Sequence, residues 1–150
     1  NLTQFKLIYN HSMKKLLLFL LLSLAFTGLS YADYQDALNA YNRGDFNSAF
    51  NEWKPLALKG NAKAQTHIGS MYFNGNYVSQ NYSESAYWLK KAADQCEPVA
   101  QFFLGISHFF GLGVTESKLE AAYLINTAID SGNKDVLKFR DYFNSQGFDL

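Results

Sequence analysis

Residues 64–75 read AQTHIGSMYFNG and residues 100–111 read AQFFLGISHFFG, thirty-six positions apart. Alanine, glutamine and two glycines recur in place while most of what lies between them changes. Laid without a gap over residues 97–132, residues 61–96 match at Ala64/Ala100, Gln65/Gln101, Gly69/Gly105, Phe73/Phe109 and Gly75/Gly111. The register continues through Val78/Val114, Glu84/Glu120, Ala86/Ala122, Tyr87/Tyr123, Ala92/Ala128 and Asp94/Asp130. Eleven identities spread over the whole unit exclude a compositional accident and mark an internal repeat at the period of a helical solenoid.

Each unit carries helical spacing twice. Ala64, Ile68 and Tyr72 stand four apart within 62–73, and Ser85, Leu89 and Ala93 do so within 82–95, which lines each set up on one helix face. Asn74-Gly75-Asn76 separates the two stretches, and these residue types tolerate the left-handed backbone that ends a helix. A unit is therefore a helical hairpin. Gly69 and Gly105 fall inside its first helix, where glycine costs about 1 kcal/mol relative to alanine. Their expected role is close helix approach, with Ala86 and Ala92 or Ala93 supplying the facing surface.

Working outward, residues 33–60 read as a degenerate first hairpin: a helix over 33–43, a turn at Gly44-Asp45, and a helix over 46–59 that contains Pro55 and should lose a backbone bond or kink there. Residues 133–150 open one more helix, which closes the stack. The fold class is all-α, a short right-handed α/α solenoid of about seven helices. The domain spans 33–150, with repeats at 61–96 and 97–132.

The N-terminal region reads differently. From Met13, two lysines precede an apolar run over residues 16–26, followed by Gly28 and Ser30-Tyr31-Ala32. This is the pattern of a signal peptide over 13–32, cleaved after Ala32; the run is shorter than the roughly 20 apolar residues of a membrane span. Residues 1–12 are expected to be an upstream, non-native extension. Export makes the mature chain periplasmic or secreted, with no membrane insertion after cleavage. Residues 33–150 hold ten basic and thirteen acidic residues, a net charge of −3 that argues against a phosphate-backbone partner. Cys96 is the only cysteine, so no internal disulfide can form, and its expected place is buried.

These residues resemble the Sel1-like repeats, a branch of the tetratricopeptide-type solenoids. In the first unit the pattern falls on Ala64, Ile68-Gly69, Tyr72, Gly75, Val78, Asn81-Tyr82, Trp88 and Ala92-Ala93. In the second it falls on Ala100, Leu104-Gly105, His108, Gly111, Gly113-Val114, Leu124, Ala128 and Gly132. Asn81 departs from the usual acid, Cys96 from the closing glycine, His108 from the tyrosine and Leu124 from the tryptophan. The cysteine pair that staples each repeat in some secreted members is absent. The resemblance implies an exported bacterial adaptor that binds a protein or peptide on its concave face, though a fold does not fix a function.

The sequence offers no competing chemistry. There is no Gly-x-Ser-x-Gly elbow, Walker-type loop or His-Glu-x-x-His. His67 and His108 occupy different repeat positions, and a metal site needs three or four converging ligands, so neither metal nor cofactor is expected. Glu84/Glu120 and Asp94/Asp130 are separated by a whole repeat, too far for paired carboxylate catalysis. The adjacent pairs Phe102-Phe103 and Phe109-Phe110 point about 100° apart on a helix, so some of these rings should reach the surface. If the first helix of each hairpin lines the inner face, the candidate partner-binding residues are His67, Ser70, Met71, Asn74, Phe103, Ile106, Ser107 and Phe110. The alternative is a cell-wall or β-lactam-related hydrolase of the repeat family, with Ser70 or Ser107 as nucleophile. Self-association through the solenoid ends or Cys96 is a third expectation.

Overall fold

The computed structural model describes residues 34–145 and 147; the expected extension over 1–12 and signal peptide over 13–32 lie outside them. Among the described residues there are seven helices and no strand. They are α1 (34–42), α2 (Phe46–Leu58), α3 (Ala62–Asn74), α4 (Tyr82–Ala93), α5 (Pro98–Phe110), α6 (Lys118–Asp130) and α7 (Lys134–Ser145). Three hairpins, α1/α2, α3/α4 and α5/α6, stack in order and α7 packs on the last. This is the expected α/α solenoid. No described helix is long and apolar enough to cross a membrane.

Caps recur with the repeat and explain where helices begin. Asn61 and Asn133, two periods apart, cap α3 and α7 by accepting from Ala64 N–H and from Asp135 and Val136 N–H. Asn81 and Ser117, one period apart, cap α4 and α6 by accepting from Glu84 and Glu120 N–H. Asn81, which stands in place of the usual acid, is thus a helix cap. The α5 cap, Glu97, makes no side-chain bond, and Pro98 follows it at the first helical position. Helix α2 runs through the exposed Pro55, which has no N–H to give to the preceding turn. Gly75 ends α3 in the left-handed conformation, as expected for the Asn-Gly-Asn stretch, and Gly111 ends α5 in the same way.

The repeated glycines do set a close approach, but not to the residues expected. A Cβ on Gly69 would lie 2.8 Å from Leu89 Cγ, and one on Gly105 would lie 2.7 Å from Ile125 Cγ1 and 3.2 Å from the Ala121 carbonyl. The facing residues are therefore Leu89 and Ile125, equivalent positions on α4 and α6, instead of Ala86, Ala92 or Ala93. Gln65 has a different role. It is buried, its Nε2 donates to the Ala57 carbonyl at the end of α2 (3.0 Å), and its Oε1 accepts from Gln95 (2.8 Å). One amide thereby ties the first hairpin to the second.

Cys96 corrects another expectation: it is exposed, not buried. Its φ is +62°, in the left-handed region, because it ends α4 where Gly132 (φ +67°) ends α6. Tyr77 (φ +68°) stands in the same relation to Gly113 (φ +70°) in the hairpin loop. The repeat thus imposes one backbone path on both units, and the first unit follows it with side chains that glycine would not carry.

Candidate functional site

The first helices of the hairpins and α7 line one cleft of about 300 Å³. Its walls come from equivalent positions: Lys63, Val99 and Asp135 at one level, Glu97 and Asn133 just before them, and His67 and Phe139 one turn beyond, with Thr66 alongside and Tyr34 closing the α1 end. Phe103 continues the His67 and Phe139 series and packs edge-on against Phe139, ring centres 5.0 Å apart. A repeat places the same position of each first helix on the same face, so the cleft crosses every unit.

At the α1 end the cleft rests on an aromatic stack. The imidazole of His67 lies parallel to the fully buried Trp53 (3.9 Å, 5°), and its Nε2 shares a hydrogen bond with the Tyr34 hydroxyl (2.9 Å). Tyr41 adds a third ring, 5.5 Å from Trp53. Burial, reinforced by the positive charge of Lys63, holds the His67 pKa down to about 4, so the ring is neutral at physiological pH. The Tyr34 hydroxyl moves up, through burial and the Glu97 carboxylate. The cleft therefore offers apolar surface at Val99 and Phe139, a cation at Lys63, and carboxylates at Glu97 and Asp135, the last bridged to Lys138 (3.2 Å).

Of the residues singled out in the sequence, His67 lines this cleft and Phe103 adjoins it. Ser70 and Asn74 lie farther along α3, half-buried and exposed. Phe110 is 40% exposed at the end of α5, the surface-reaching member of its pair. Met71, Ile106 and Ser107 are buried, so their side chains fill the core. Ser107 donates to the Phe103 carbonyl of its own helix (3.0 Å), and the Ser70 hydroxyl accepts from the Asn74 amide (3.3 Å); these bonds join neither serine to a general base. Among the described residues no three His, Cys, Asp or Glu side chains converge as metal ligands. Lys63, Glu97, Val99 and Asp135 were missed, although carrying the period from 63 to 99 to 135 would have found three of them.

The family model for the Sel1 repeat matches residues 62–95 and 98–133, the two hairpins α3/α4 and α5/α6. A Sel1 repeat protein of Oxalobacter formigenes is similar in structure, with a TM-score of 0.64 and 29% identity over 76% of this chain and 46% of that one. A protective antigen of uropathogenic Escherichia coli with the same repeat fold has a TM-score of 0.66 and 32% identity over 83% of this chain and 27% of that one. The chain thus spans less than half the length of either. Cysteine-rich protein B of Helicobacter pylori shares the fold at 18% identity (TM-score 0.56), covering 73% of this chain and 93% of that one. No match is found among curated proteins. With both repeats matched by the family model and both folded as the hairpins that the period requires, this chain belongs to the Sel1-like repeat family.

Proposed function

We propose that this chain is an exported, non-enzymatic interaction module that binds an extended segment of a partner protein across its first helices. Sel1 repeats are typically protein–protein interaction modules. The observation that carries the reading here is the single cleft to which α1, α3, α5 and α7 each contribute, largely at equivalent positions. A ligand lying in it would meet the Lys63 ammonium, the Glu97 and Asp135 carboxylates, and the apolar Val99 and Phe139. Charge of both signs favours one orientation, and apolar surface supplies affinity. Export is supported by the lysine, apolar-run and small-residue pattern over 13–32. The Escherichia coli relative's character as a protective antigen speaks for the same destination.

Site-specific photo-crosslinking in cells tests the binding face. A photoreactive residue at Val99 or Asp135 should trap the same partner, and one at the exposed Leu58 should not. Glu97→Lys should weaken the adduct without unfolding the chain. An adduct formed equally well from all three positions, or one indifferent to Glu97→Lys, would overturn the assignment.

A further inference from the structure

A second and larger groove, about 610 Å³, lies between α4 and α6 on the other face of the solenoid, floored by α5. The chain itself indicates what belongs there. Shifted back by one period, its positions fall at the junction of α2, α3 and α4, where five of them are aromatic: Phe50, Tyr72, Tyr77, Tyr87 and Trp88. Those rings occupy the first junction. Phe50 meets Tyr72 edge-on (6.0 Å, 79°) and lies 5.5 Å from Tyr77. The Lys54 ammonium sits among them, 4.5 Å from the Trp88 ring centre and 5.6 and 5.7 Å from Phe50 and Tyr72. In the second groove Tyr123 keeps the ring of Tyr87, but the other four equivalents are Ala86, His108, Gly113 and Leu124, each smaller, while the equivalent lysine (Lys90) and glutamate (Glu120) remain.

We propose that this groove receives an aromatic side chain of a partner peptide, with a basic residue of the same peptide beside it. The ring takes the space that Phe50 fills in the first junction, against Leu104 and Leu124, with the exposed Tyr87 and Tyr123 as walls. Such rings stack and pack edge-on with the geometry the first junction already shows. The charge at the mouth selects the neighbour. Lys90 is engaged by Asp94 (2.9 Å), whereas Glu120 has no ion-pair partner among the described residues and can meet a cation. The site is independent of the cleft on the first helices, so either can fail without the other.

The test is an amide-resolved NMR titration of the protein with the peptide Ala-Ala-Phe-Lys-Ala-Ala. Saturable shifts are expected at Ala86, Lys90 and Leu124, with those at Val99 and Asp135 unmoved. Replacing the peptide's phenylalanine with alanine should weaken binding about tenfold or more, the scale of burying one ring. Replacing its lysine with glutamate should weaken it a few-fold in a salt-sensitive way. Ala86→Phe, which restores the missing ring, should abolish binding. Glu120→Gln, at an exposed position, should reproduce only the charge effect, and keeps the test valid if Ala86→Phe fails to fold. Equal affinity for the phenylalanine-free peptide, shifts confined to the first-helix cleft, or a dimer in sedimentation that Ala86→Phe dissociates would each overturn the proposal; the last would make a second copy the occupant.

Discussion

Gly113→Ala and Gly132→Ala place the same methyl group on the same kind of backbone, with φ of +70° and +67°. Only their surroundings differ. At Gly132 nothing lies within 4 Å of an added Cβ, whereas at Gly113 it would overlap the Tyr82 carbonyl and come within 2.5 Å of the Ser83 nitrogen, the first turn of α4. The torsion alone costs an L residue about 1–2 kcal/mol, partly offset by a stiffer unfolded chain, so Gly132→Ala should lose about 1 kcal/mol. Gly113→Ala carries that loss and must also push the α5/α6 loop away from the preceding hairpin. The neighbour is backbone, which cannot rotate aside, so overpacking adds about 1–3 kcal/mol. The expected totals are about 1 and about 3 kcal/mol. Tyr77 shows that a side chain can hold this torsion. Urea unfolding followed by circular dichroism reads the difference as a lower midpoint at unchanged slope. Equal losses in the two variants would refute the claim that Gly113 is kept for inter-repeat contact.

Three other substitutions have equally definite expected outcomes. Cys96→Gly, which relieves the left-handed torsion at an exposed position, should raise stability by about 1 kcal/mol in urea unfolding. Gln65→Ala removes the amide that joins Ala57 and Gln95 and should cost about 2 kcal/mol, whereas Gln95→Ala should cost less than half as much; equal losses would place the burden elsewhere. The folded-state pKa of His67 lies below its unfolded value, so the unfolded chain binds more protons between pH 6.5 and about 4. Stability from this group is complete above pH 6.5 and falls by about 3 kcal/mol as the pH drops to about 4. His67→Phe, which copies the equivalent Phe103, should flatten that part of the stability profile, and an unchanged slope would show that other groups carry it.

The repeat, and with it the hairpins, is legible in the order of residues alone. Caps and turns are local, so Asn61, Asn81, Ser117 and Asn133 mark helix starts, and the boundaries agree to within a residue or two at α2, α3 and α4 and at the start of α7. Orientation was not legible in the same way. Periodicity states which side chains point together, not which neighbour they meet, and α3 and α5 are each packed against several other helices. Met71, Ile106 and Ser107 therefore lie in the core although they share a helix with His67 or Phe103, and Leu89 faces Gly69 where alanines were expected. Cys96 was read from the habits of its residue type, but the backbone path of the repeat holds it at an exposed helix end. The cleft on the first helices and the groove between α4 and α6 exist only once the hairpins stack, because each is walled by residues that successive units bring together.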